Sequence, residues 1–105
     1  EWSASTGELD WVLRPLLATS SFPPANSNYA YYSNPKLDSL LTAALKTTDR
    51  AEKTKIYDEA QELIWKDAPW VFLVVDQGIS ARSANLTGFY SLKDGGFNFL
   101  EADLK

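Results

Sequence analysis

Residues Asp49 to Val75 constrain this chain more than any other stretch: an amphipathic helix runs through Asp67-Ala68-Pro69 into an unbroken apolar segment. Asp49 and Glu52 have the spacing of a capping box, in which each side chain satisfies an otherwise orphaned N–H of the first turn. Ile56, Tyr57, Ala60, Leu63 and Ile64 recur at helical spacing and form one apolar stripe. Lys66 complements the negative end of the helix dipole, and Pro69, with no N–H to donate, stops the helix. Trp70 to Val75 (WVFLVV) shows no polar alternation, the pattern of a strand covered on both faces. The expected class is therefore α/β in the α+β sense, a helical hairpin packed on a small sheet whose buried strand is 70–75. Leu40, Tyr57, Leu63 and Val71 to Val74 are expected in the core.

The first partner of that hairpin is legible upstream. Asn34-Pro35 is a strong helix start, with asparagine as N-cap and proline at the first helical position. Leu37, Leu40, Leu41, Ala44 and Leu45 supply its stripe, and Lys46-Thr47-Thr48 is a short link to Asp49. Before it, a helical segment over about 8–18 carries Trp11, Leu13, Leu16 and Leu17, with Pro15 predicting a kink or two short pieces. Residues 19–34 read as a long irregular loop, with Tyr29, Tyr31 and Tyr32 at its end. A loop of that length in a compact domain is commonly functional. Anchoring it to the core is the expected task of the three tyrosines, with a binding wall as the alternative. The N-terminal residues 1–5 read as the end of a strand leading into a turn at Ser5-Thr6-Gly7. Further short strands are expected over 79–82 and over 86–92, the latter broken at Gly88, with a final aromatic segment at 97–100.

Composition removes several function classes. Net charge is −4 and no Lys/Arg cluster exists, so nucleic-acid binding has no electrostatic footing. Without His or Cys, neither Ser-His-Asp nor Cys-His nucleophile systems nor ordinary zinc sites can be built from this chain alone. Glu8 with Asp10 and Glu101 with Asp103 are close carboxylate pairs, but an i, i+2 pair does not converge on either a helix or a strand. Gly95-Gly96 reads as a turn and not a phosphate loop. No enzyme and no cofactor are expected. At 105 residues and 45% hydrophobic content there is material for one domain with a core. With no Met and an opening at Glu1-Trp2-Ser3, the chain is expected to be a piece of a longer polypeptide. The lack of cysteine suits a cytoplasm or a Gram-negative periplasm equally.

An ordered set of short motifs then carries a resemblance. Trp2, Gly7, Glu8 and Asp10 come first, followed by a Pro-containing apolar helix and the tyrosine-rich loop. Asn34-Pro35-Lys36-Leu37-Asp38-Ser39-Leu40-Leu41, Arg50-Ala51-Glu52, Tyr57-Asp58-Glu59-Ala60-Gln61, Asp67-Ala68-Pro69 and Asn85-Leu86-Thr87-Gly88-Phe89 complete it. This order, over essentially the whole chain, resembles the C-terminal part of the family 5 extracellular solute-binding proteins, which serve ABC importers of dipeptides, oligopeptides, nickel and glutathione. Trp2 to Glu8 and Asn85 to Gly88 look most like its glutathione-binding branch.

The resemblance implies a two-lobed periplasmic receptor, with residues 1–105 a fragment of one lobe, a ligand such as glutathione or a short peptide, and ABC permease subunits as partners of the whole protein. It implies ligand contact by Trp2, Ser3, Ser5, Thr6, Asp10 and Arg14. Dipeptide binders carry an Asp after the opening aromatic where this chain has Ser5, which suits a ligand richer in carboxylates than in amines. From the residues alone, Ser3, Ser5 and Thr6 read equally as turn hydroxyls, Trp2 as a core or rim aromatic, and Asp10 as a helix-start acid. Arg14 is a natural bidentate clamp for a carboxylate, or the partner of Asp10 one turn earlier. Two rival classes remain open: a helical-hairpin protein-interaction module and a carbohydrate-binding module. Self-association of the chain on its own is expected wherever apolar surface lacks cover.

Overall fold

The computed structural model describes residues 7–75, 77–92 and 95–105. Three helices precede two short antiparallel ribbons: α1 (Asp10–Leu17), a 3₁₀ turn (Thr19–Ser21), α2 (Pro35–Lys46), α3 (Arg50–Asp67), then β1 (Leu86–Thr87), β2 (Tyr90–Ser91), β3 (Phe97–Asn98) and β4 (Asp103–Leu104). β1 pairs with β4 and β2 with β3. The architecture is α+β, as expected.

The α2–α3 hairpin forms for the reasons its sequence advertises. Asn34 Oδ1 accepts from the backbone N–H of Lys36 (2.9 Å) and Leu37 (3.3 Å), with Pro35 at the first helical position. Asp49 accepts from the N–H of Glu52 (2.7 Å), but the capping box is only half built. Glu52 instead takes the hydroxyl proton of Thr47 (2.6 Å), and Thr47 Oγ1 accepts from the N–H of Asp49 (3.2 Å). α3 ends at Asp67, two residues before Pro69, and is capped by Ala68 in the left-handed region (φ 44°), whose N–H closes on the Ile64 carbonyl.

The core lies between the hairpin and α1. Leu37, Leu41, Ala44 and Ala60 are fully buried, joined by Leu13, Leu16, Leu17, Ala18, Tyr57 and Ile64. Leu40 and Leu63 pack half-buried against them. α1 is one helix and does not split. With only eight residues, Pro15 comes near its end, so the missing N–H costs a single interior bond.

The expected buried strand is the main correction. Trp70 packs against the core, but residues 71–75 form neither helix nor strand, are unpaired among the described residues, and are exposed, Val75 at 99%. The hairpin's cover is α1, not a sheet. A strand needs a neighbouring backbone to satisfy its N–H and C=O groups, and no described segment reaches 71–75. The strand expected over 79–82 is likewise absent, and Leu45 and Trp11 are exposed. The break at Gly88 is as expected: with φ at +67° it separates β1 from β2, and any Cβ there would overlap the Glu101 backbone. The expected strand end over 1–5 lies outside the described residues. The Cα radius of gyration is 17.8 Å, against about 13 Å for a compact domain of this length.

Candidate ligand-binding site

Of the six residues singled out in the sequence, Trp2, Ser3, Ser5 and Thr6 lie outside the described residues. Asp10 and Arg14 stand on successive turns of α1 and are brought together. Arg14 Nε donates to Asp10 Oδ2 (2.9 Å) and Nη2 to Oδ1 (2.8 Å), a bidentate pair with side chains 29% and 19% exposed. Nη2 also donates to the backbone carbonyl of Leu41 in α2 (2.7 Å). The bonds to Asp10 push the guanidinium's pKa up, against the opposing effect of burial.

Two clefts flank this pair. One, of about 390 Å³, is lined by Asp10, Trp11, Arg14, Pro15, Ser20, Ser21 and the loop residues Ala25 and Asn26. The other, of about 300 Å³, lies between Gly7, Glu8 and Leu9 and the first turns of α3, with Lys53 Nζ 4.0 Å from Glu8 Oε2. Burial, then the carboxylates of Asp10 and Glu8, push the pKa of the Tyr57 phenol up beside it. A third recess, of about 280 Å³, is apolar: Val12, Leu13, Leu17, Ile64 and Trp70 surround Trp65, whose ring stacks on Phe72 at 5.4 Å.

The loop that walls the first cleft is built around a residue that sequence reading passed over. Asn28 is completely buried. Its Nδ2 donates to the carbonyls of Ala18 (3.0 Å) and Tyr32 (2.8 Å), and its Oδ1 accepts from the N–H of Tyr32 (3.2 Å). Asp38 Oδ1 accepts from the N–H of Thr19, tying the loop's start to α2. At its end, Tyr32 Oη (2.5 Å) and Asn34 Nδ2 (2.7 Å) both donate to Asp67 Oδ2, which lowers the carboxyl's pKa. Burial, reinforced by that bond, pushes the Tyr32 phenol up to about 12. Of the three tyrosines expected to anchor the loop, Tyr32 alone packs on the core. Tyr29 and Tyr31 stay exposed, Tyr31 resting on Phe22 with ring centroids 5.2 Å apart. Only a polar loop asparagine marked Asn28 in the sequence, and that signal does not separate a buried organiser from a turn residue.

Among the described residues, no group of three or more acidic side chains converges as a metal site, and no helix is long and apolar enough to cross a membrane.

No family model matches the chain. It is 58% identical over 104 residues to the glutathione-binding protein GsiB of Salmonella typhimurium, covering 99% of this chain and 20% of that protein. The glutathione-binding protein GsiB of Pectobacterium atrosepticum is 59% identical over 103 residues, and that of Escherichia coli K12 is 54% identical over 104. The chain spans about a fifth of the length of these relatives. They are binding proteins and not enzymes. HbpA2 from Haemophilus parasuis superposes with a TM-score of 0.74 at 22% identity, over 99% of this chain and 20% of that one, and so shares the fold. The resemblance read from the short motifs is matched by these relatives over nearly the whole chain.

Proposed function

We propose that this chain is the C-terminal part of one lobe of a two-lobed solute-binding receptor that captures glutathione or a short peptide in the periplasm for an ABC importer. The observation that carries the reading is identity of 54–59% over 98–99% of the chain to proteins named for glutathione binding. The exposed apolar run at 71–75 and the extended shape agree with it, since both call for a larger body to cover them. The ligand would be met by Trp2, Ser3, Ser5 and Thr6, with Asp10 and Arg14 on the adjoining turns of α1. A hydroxyl at Ser5 can donate to a carboxylate, in keeping with a ligand of more carboxylates than amines. Permease subunits would be partners of the whole receptor. The carbohydrate-binding alternative gains no support from Trp65 and Phe72, which stack on each other at 22° and do not lie side by side as a sugar platform would.

Calorimetric titration of the full-length protein with glutathione and with dipeptides is the test. Glutathione is expected to bind, and Ser5→Ala to weaken it by about 1–3 kcal/mol, the worth of a buried charge-assisted bond. Binding of neither ligand class would overturn the reading. Unchanged affinity in Ser5→Ala would remove that residue from the site.

A further inference from the structure

The cleft between α1 and the loop that follows it holds a polar group that the fold itself does not use. Ser21 is only 4% exposed. Its N–H donates to the Ala18 carbonyl (3.0 Å) and its carbonyl accepts from the N–H of Asn28 (2.9 Å), so both backbone groups are engaged. Its hydroxyl bonds no described residue, yet no fully buried side-chain oxygen among the described residues lacks a partner. The hydroxyl therefore keeps a face on open space, and the space that Ser21 borders is the cleft of about 390 Å³. A polar atom sunk this far raises the free energy of the site until something bonds it.

The same cleft is bordered by Asp10 and Arg14, a pair that is neutral as a unit but not exhausted. Nε and Nη2 serve the two Asp10 oxygens, and Nη2 gives its second hydrogen to the Leu41 carbonyl. Nη1, with two hydrogens, bonds no described residue, and each Asp10 oxygen keeps a further lone pair. A lone carboxylate drawn to Nη1 would be repelled by Asp10, and a lone ammonium drawn to Asp10 would be repelled by Arg14. A group that carries both charges on one carbon meets neither penalty. Resting on the receptor reading, we propose that this cleft receives an α-amino acid zwitterion, the γ-glutamyl end of glutathione. Asp10 takes the ammonium, and Arg14 Nη1 with the Ser21 hydroxyl takes the carboxylate. Trp11, 56% exposed, and Pro15 supply the apolar side along which the methylenes of that end lie. The γ-linkage is what the site selects: it leaves ammonium and carboxylate on one carbon, whereas an α-linked peptide has turned that carboxylate into an amide.

The test is titration of the full-length receptor, as wild type, Ser21→Ala and Asp10→Asn. The ligands are glutathione, its ester at the γ-glutamyl carboxylate, its N-acetyl derivative, its α-linked isomer and free glutamate. Ser21→Ala is expected to weaken glutathione about tenfold, the worth of one bond to a charged group. It should leave the ester, which lacks that charge, within about twofold of wild type. Asp10→Asn should weaken glutathione likewise and leave the N-acetyl derivative within the same margin. Wild type should prefer glutathione to the α-linked isomer by about tenfold or more. Losses of equal size for glutathione and both derivatives would place the two residues away from that end and overturn the proposal. Unchanged glutathione affinity in both variants would overturn it too. Should a variant fail to fold, the wild-type comparison decides, since equal affinity for the two linkage isomers is fatal by itself. Free glutamate bound as tightly as glutathione would make the cleft a site for amino acids, and the γ-glutamyl assignment would fall. A wild-type receptor that binds neither glutathione nor dipeptides would sink the receptor reading itself, and this assignment with it.

Discussion

Replacing Asn28 by alanine should unfold the tyrosine loop at a cost out of proportion to one surface-loop residue. The side chain is 0% exposed and makes three bonds, to the carbonyls of Ala18 and Tyr32 and from the N–H of Tyr32. A neutral bond contributes about 1 kcal/mol net, while a buried group left without a partner costs about 1–3 kcal/mol. Three bonds are lost and the Tyr32 carbonyl and N–H are left without a partner, while the Ala18 carbonyl keeps the N–H of Ser21 (3.0 Å); the space of one carboxamide admits about one water, which would restore part of the loss. The expected loss is therefore about 3 kcal/mol. For a domain of this size, with a urea dependence near ~1 kcal/mol per molar, the unfolding midpoint should fall by about 2–3 M. Tryptophan fluorescence in urea reads this directly. Asn28→Asp sharpens the test. It keeps an acceptor for the Tyr32 N–H but sets a carboxylate oxygen against the two carbonyls that Nδ2 had served, so at neutral pH it should be worse than alanine. A carboxyl whose folded pKa is raised destabilises above its unfolded value, so this variant should regain stability as pH falls, opposite to ordinary acid denaturation. A loss under about 1 kcal/mol in both variants would refute the view that this asparagine organises the loop.

Two further outcomes are expected. Asp67 is held below its ordinary pKa by bonds from Tyr32 and Asn34, so its contribution is present above the unfolded carboxylate range and lost as pH falls through the folded value; that of Tyr32, raised to about 12, is present below pH 10 and lost between about 10 and 12. The gap in melting temperature between wild type and Tyr32→Phe should accordingly be flat from about pH 5 to 9 and narrow at both ends, and a gap independent of pH would contradict this latch. The 105-residue chain on its own should sediment above its monomer mass of 11.7 kDa, through the unpaired run 71–75, and Leu73→Lys should restore the monomer; a wild-type chain that stays monomeric at high concentration would refute it.

The helices were legible because their signals are local. Asn34-Pro35 and Asp49 cap the backbone within three residues of themselves, and the stripes of α2 and α3 need only the 3.6-residue period to find each other. The break at Gly88 was legible for the same reason, since glycine takes a positive φ at no steric cost and so marks a place where a strand can be interrupted. The capping box failed in detail because Thr47, a link residue, competes for both Glu52 and the Asp49 N–H. Asn28 was missed because its three partners are assembled only by the path of the loop. For Asp10 and Arg14 the spacing of one turn allowed either a pair or a ligand clamp, and the structure brings them together through a third group, the Leu41 carbonyl on another helix. Nothing local to α1 encodes that contact.

The run from Trp70 to Val75 separates two things a sequence pattern can mean. Six apolar residues without alternation state that both faces of a segment are to be covered; they do not state that this chain supplies the cover. Among the described residues it does not: α1 and α2 occupy the apolar stripe of α3, Trp70 closes the edge of that core, and of the five residues beyond it none pairs as a strand, Phe72 resting on Trp65 while the others stay exposed. The Trp65–Phe72 stack and the recess of Val12, Leu17 and Ile64 beneath it show where such cover would continue the existing core. Relatives of five times the length, aligned over the whole chain, have ample polypeptide for it. On that reading the exposed apolar run and the extended shape have one cause, a core whose missing layer belongs to the rest of a receptor.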